Sequence, residues 1–249
     1  DPREAGRRVG REEADQEDDD GREKERAAGE ADQVEAEGGR PEPQPLGGDP
    51  GGDRAPRRPV GSGRVPASLP SRPLADLHLH LEGAVRPATL VRLARRAGSP
   101  LFPDAAAVRA RRPFDGLPGF LALYRDVCRL LRGPDDFALL ARDLTARLFR
   151  ERVTYAEVYV SPGIVQRLGF DWGAVRDAVE PVFAAHERAG RGRIRVLLDA
   201  VRHFGPDAAH RVLDAHARHP WPRVVGFGLG GDELSLPARD FAPVYRRLP

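Results

Sequence analysis

The chain has 249 residues with 40 Lys+Arg against 38 Asp+Glu, room for one domain of ordinary size plus a tail. No apolar run approaches the ~18 residues of a transmembrane helix, Asp1-Pro2-Arg3-Glu4 is no secretory signal, and one cysteine, Cys128, excludes a disulfide framework; membrane contact is not expected and a cytoplasmic location is. Of the basic residues only Lys24 is a lysine; so uniform an Arg bias, without interleaved aromatics or Cys/His finger spacing, points to coding composition and not to nucleic-acid binding.

Residues 1–60 hold 11 basic against 18 acidic side chains, 17 Gly plus Pro and no aromatic residue. Such a stretch cannot bury enough apolar surface to offset its ordering entropy. With the Pro/Ser-rich linker that follows, it predicts a disordered acidic tail over residues 1–72 and a folded part over 73–249. The chain contains no Met, so residue 1 is expected to follow processing or to lie inside a longer sequence.

Leu74 to Leu81 has the alternation of a strand, with Leu77, Leu79 and Leu81 on one face and His78 and His80 on the other. Pro87 fits the first turn of a helix that buries Leu90, Leu93 and Ala94 and stops at Gly98. A helical region over 113–132 places Phe120, Leu121, Tyr124, Val127, Cys128 and Leu131 at three-and-four spacing, and Gly133-Pro134 breaks it. A third helix over 135–152 carries Leu139, Leu140, Leu144 and Leu148. Val153 to Ser161 is a second strand, and Asp171 caps a helix striped by Trp172, Val175, Val179 and Phe183. Arg193 to Ala200 is a third strand, Gly205-Pro206 opens a helix to about His219, and Arg223 to Leu229 is a fourth strand.

Apolar strands alternating with helices predict a parallel sheet covered by helices. A dinucleotide-binding sheet would need a glycine-rich turn after the first strand, and only Gly83 stands there. Polar residues gather instead after each strand: His78, His80 and Glu82; Glu157 and Ser161; Asp199 and His203; Asp232 and Glu233. That distribution favours a (β/α)₈ barrel, which places its chemistry at the carboxyl ends of its strands. Two imidazoles two residues apart on one strand point the same way and suit zinc, nickel or iron, zinc being the simplest for non-redox hydrolysis. Glu157 and Ser161 are either mouth residues or partners of interior hydrogen bonds. Asp232 and Glu233 either act on substrate or cap a following helix. Cys128 fits a small buried hydrophobe. His186, His210, His216 and His219 fall on helical stretches, away from strand ends.

Three motifs in order carry a resemblance. Leu74-Ala-Asp-Leu-His-Leu-His-Leu-Glu-Gly-Ala-Val-Arg-Pro-Ala-Thr-Leu90, Tyr155-Ala-Glu-Val-Tyr-Val-Ser-Pro162 and Val224-Val-Gly-Phe-Gly-Leu-Gly-Gly-Asp-Glu233 resemble the first, second and fourth strands of the adenosine deaminase family. The resemblance covers about residues 72–249 and implies a zinc-dependent hydrolytic deaminase on a (β/α)₈ barrel, releasing ammonia from adenosine or deoxyadenosine. It implies His78 and His80 as zinc ligands, His80 also beside the purine, Glu82 at the ribose and the Gly231 amide at the purine ring. Zinc deaminases that act on nucleic acid need a Pro-Cys-x-x-Cys ligand pair that one cysteine cannot supply, so a free nucleoside or base is the expected partner.

Two departures shift the substrate expectation. Glu82 is one methylene longer than the Asp of some relatives, and Gly228 stands where several have Asp. Adenine or a modified adenosine such as aminodeoxyfutalosine is therefore the alternative. The family's third zinc histidine, its catalytic glutamate and its late histidine and aspartates belong to strands five to eight. Only the N-terminal half of the barrel, about four β/α units, is present, and no catalytic residue is assigned within it. A truncated, inactive fragment or an interaction protein is the expectation from a different class; oligomeric state is not legible.

Overall fold

The computed structural model describes residues 72–111, 114, 116–233 and 236–248. The predicted acidic tail, through residue 71, lies outside the described residues. Four strands, β1 (Leu74–His80), β2 (Val153–Val160), β3 (Arg193–Val201) and β4 (Val224–Gly230), form one parallel sheet in the order β1-β2-β3-β4. Strict sequential order, without the reversal of a doubly wound sheet, is that of the first half of a (β/α)₈ barrel.

Parallel neighbours require crossovers, and the helices supply them: α1 (Pro87–Arg96), α2 (Ala105–Ala110), α3 (Gly116–Cys128) and α4 (Pro134–Arg150) before β2; α5 (Pro162–Arg167) and α6 (Trp172–Arg188) before β3; and α7 (Gly205–Arg218) before β4. A short α8 (Ala242–Tyr245) follows. Among the described residues no helix is long and apolar enough to cross a membrane.

The core lies between sheet and helices because strand alternation sorts the side chains. Ala156, Val158 and Val160 of β2 and Ile194, Val196, Leu198 and Ala200 of β3 are buried against the helices. Facing them are the expected stripes: Leu90, Leu93 and Ala94 of α1; Leu140, Leu144 and Leu148 of α4; and Trp172, Val175, Val179 and Phe183 of α6. Asp171 caps α6 as its position predicts, accepting from the Ala174 amide at 2.8 Å.

Four features differ from the sequence reading. The leucine face of β1 is not uniformly buried: Leu81 is fully buried but Leu77 is 58% exposed, because β1 is an edge strand and its pairing slips between Asp76 and Leu79. The predicted second helix begins at Gly116 and its outer turns are not core, since Phe120 is exposed. Two short helices, α2 and α5, stand where no helix was expected; each is built on a capping side chain, Asp104 and Ser161. Finally, β2 ends at Val160, because Ser161 is the cap of α5 and not the last strand residue.

Candidate functional site

The first three strands and the end of β4 converge on one cluster. His78 and His80 sit on the same side of β1, ring centroids 5.4 Å apart. Both stack on Tyr159 of β2, at 4.7 and 4.9 Å. The slip in β1 therefore does not part the two imidazoles; one aromatic ring backs both. Asp199 of β3 reaches the pair from the other side, its Oδ2 3.4 Å from His80 Nδ1.

Glu82, on the turn after β1, is fully buried. The Tyr124 hydroxyl of α3 donates to its Oε2 at 3.0 Å, and the Tyr124 ring meets His80 edge-on at 6.1 Å. Tyr124 thus belongs to the site and not to ordinary helix packing. Phe120 and Phe114 continue the aromatic path outward, with centroids 6.2 and 5.5 Å apart in sequence from Tyr124.

The remaining candidates divide. Gly231 ends the β4 turn with φ +96°, and a Cβ there would lie 3.2 Å from His203 Nδ1; positive φ and close approach both call for glycine. His203, in the turn after β3, is therefore brought to the mouth beside Gly231. Ser161 takes the interior hydrogen bond: its hydroxyl donates to the Asp199 carbonyl at 2.9 Å. Glu157 sits lower, accepting from the Tyr155 hydroxyl at 2.9 Å. Glu233 is exposed and pairs with Arg202 at 3.2 Å, while residues 234 and 235, which would test its capping role, lie outside the described residues. Cys128 is free and buried. His186, His210 and His216 lie on α6 and α7, and His219 caps α7, none of them at the mouth. The residues that sequence reasoning did not assign to the site are Tyr159 and Tyr124; Asp199 was among the polar residues expected at the strand ends, but with no role. Asp199 and Tyr159 lie on inward-facing strand positions near the carboxyl ends, and that register was the available signal.

The electrostatics follow from burial. His80 is pushed down to about 4, by burial and then by the neighbouring His78, so its imidazole is neutral and free to donate a lone pair. Burial pushes Glu82 up to about 7 against the hydrogen bonds that favour its charged form. Asp199 is also raised to about 7, by burial and then by Glu82, opposed by the Gly230 amide. Two imidazoles on one face, that of His80 neutral, backed by carboxyls whose burial raises them, form a donor set suited to a divalent cation. Among the described residues no three His, Cys, Asp or Glu are gathered tightly enough to enclose an ion, so the two histidines do not by themselves make a closed cage.

Comparison with known proteins decides the family. The adenosine deaminase family model matches residues 73–247. The chain belongs to the adenosine deaminase family. Within this family of metallo-dependent hydrolases, it is 32% identical over 172 residues to an adenine deaminase of Chelativorans sp. (strain BNC1), covering 69% of this chain and 52% of that protein. An aminodeoxyfutalosine deaminase of Streptomyces coelicolor is 31% identical over 184 residues, 73% of this chain and 48% of the other. The crystal structure of an adenine deaminase from Arthrobacter aurescens matches at a TM-score of 0.65 and 28% identity, over 70% of this chain and 54% of that one. An amidohydrolase from Burkholderia ambifaria with bound Zn matches at 0.63 and 28%, over 70% and 48%. The chain spans about half the length of the curated relatives it matches.

Proposed function

We propose that this protein serves the hydrolytic deamination of a purine, with the free base adenine favoured over adenosine, at a zinc ion held in part by His78 and His80. The observation that carries the choice of base is Glu82. A carboxylate meant for a ribose hydroxyl has to be reachable, whereas Glu82 is fully buried with Oε2 engaged by Tyr124. A base needs no sugar subsite there. Several relatives support the same reading, being adenine deaminases, while the aminodeoxyfutalosine deaminase keeps a modified nucleoside as the second candidate; the preferred substrate shifts from adenosine to the alternative the sequence left open.

Bound zinc would supply Lewis-acid activation of water, which attack on an aromatic carbon requires. The chain's own residues do the rest of what is present here. His78 and His80 offer two imidazoles from one face of β1, and Tyr159 holds both rings against rotation. Gly231, free of a side chain, lets a planar ring approach its backbone amide beside His203. Tyr124 keeps Glu82 in place and, with Phe120, walls the mouth above His80.

The test is ammonia release from adenine, adenosine, deoxyadenosine and aminodeoxyfutalosine, run beside the metal content of the purified protein. Highest kcat/KM on adenine with bound zinc is expected of a form that also carries strands five to eight. Preference for adenosine would overturn the base reading. No ammonia from any substrate and no zinc would leave the non-catalytic, interaction reading.

A further inference from the structure

We propose that Asp199 is the positioning residue for His80, fixing its proton on Nδ1 so that Nε2 is the nitrogen presented to the metal. The proposal rests on the reading of His80 as a metal ligand. Its basis is geometric. Asp199 Oδ2 lies 3.4 Å from His80 Nδ1, and Asp199 is itself 4% exposed. The backbone of Asp199 is held by its carbonyl, which accepts the Ser161 hydroxyl at 2.9 Å, and the Gly230 amide bonds the carboxyl group.

The neighbouring strand explains why the carboxylate comes from β3. Gly228 is the register partner of Asp199 on β4, but a Cβ on Gly228 would fall 2.5 Å from Tyr159 Cε1. The ring that backs both histidines occupies the space that a side chain at 228 would need. With β4 bare at that level, Asp199 is the group placed to receive the Nδ1 proton. A metal-bound histidine commonly donates its other ring N–H to a carboxylate, which fixes tautomer and orientation and makes the ligating nitrogen more basic.

The experiment reads the tautomer directly. Metal-free protein labelled with 15N-histidine is examined by long-range proton–nitrogen NMR at about pH 9, where Asp199 is a carboxylate, with the His80 signals assigned from His80→Gln. The wild type should carry its proton on Nδ1. In Asp199→Asn the amide donates to Nδ1 instead, moving the proton to Nε2, and zinc affinity measured against a chromophoric chelator should fall roughly 10- to 100-fold. Asp199→Glu, which keeps a carboxylate, should retain the wild-type tautomer.

A wild-type proton on Nε2 overturns the proposal whether or not any variant folds. So does a folded Asp199→Asn whose tautomer and zinc affinity are unchanged within about twofold. A wild type that takes up no zinc, yet loses its Nδ1 proton on Asp199→Asn, upholds the positioning role and overturns the metal reading instead.

Discussion

Gly228→Ala tests the packing that aligns the histidine pair. The added Cβ would lie 2.5 Å from Tyr159 Cε1 and 3.2 Å from Cδ1. The ring has little room to retreat, because it stacks on His78 and His80. Overpacking of this kind costs about 1–3 kcal/mol, partly offset by the ~0.5–1 kcal/mol that Ala gains over Gly inside a strand. The net expectation is a loss of about 1–2 kcal/mol, or ~2–8 °C in Tm for a chain of this size. Gly226→Ala is the control: its Cβ would lie 3.2 Å from Leu197 Cδ2, a methyl that can rotate away, so its effect should be near zero. Urea unfolding followed by fluorescence reads the outcome, since Trp172 and Trp221 are both buried with ring centroids 5.9 Å apart. In a Tyr159→Ala background, Gly228→Ala should be neutral or stabilising by about 0.5 kcal/mol. An equal penalty in both backgrounds would refute the argument that the two positions share one space.

Further outcomes follow from the core and the site. Phe183→Ala removes a fully buried ring stacked at 6.2 Å on Trp221 and should cost about 3–5 kcal/mol in urea unfolding; a loss below about 1 kcal/mol would mean that the region repacks. Asp171→Ala strips the cap of α6 and should cost about 0.5–2 kcal/mol, with Asp171→Asn recovering most of it. Glu82 gives a pH dependence. Its carboxyl titrates near 4.5 in the ordinary case and at about 7 when folded, chiefly through burial. The native state therefore holds the proton more tightly than the unfolded one, and metal-free protein should lose stability as pH rises from about 4.5 through about 7. The loss is on the order of 3 kcal/mol at most, at ~1.4 kcal/mol per pKa unit. Glu82→Gln should raise Tm at pH 8 and leave it nearly unchanged at pH 4.5, and equal melting of the two proteins at pH 8 would contradict the assignment.

Much of the fold was legible because strand alternation and helical spacing report burial directly. The stripe Trp172, Val175, Val179 and Phe183 is buried throughout, and the order of strands and helices specified a parallel sheet before any pairing was known. The failures have local causes. Ser161 has the composition of a strand end, but its hydroxyl accepts from the Ile164 amide and starts α5, a choice that depends on where the chain turns. Leu77 matches the alternation of β1, yet an edge strand with a slipped register has no helix to cover it. Phe120 fits the apolar spacing of its helix but meets Phe114 edge-on and Tyr124 at a tilt, outside the core. For the site, the His78/His80 pair was visible in two residues of spacing. Asp199 was visible as a strand-end acid, but its approach to that pair was not, and Tyr124 was not, because each reaches the histidines only through tertiary placement.

The two ends of the sheet differ in their electrostatics in a way that fits this division. Near the amino ends of β3 and β4, Arg223 bonds Glu180 at 2.8 Å and pairs with Glu187 at 2.8 Å. Burial alone would raise both acids, but the hydrogen bonds outweigh it and hold them below the usual carboxylate range; charge there is already balanced and contributes to stability. At the carboxyl ends the order of effects is reversed. Burial wins at Glu82 and Asp199, both reaching about 7, and at His80, which falls to about 4. Each of these groups is held away from its charged form for want of a counter-charge. A divalent cation at the two imidazoles would supply that counter-charge, lowering both carboxyls and engaging the lone pairs that low basicity leaves free. One end of the sheet is electrostatically complete on its own, and the other is built to be completed.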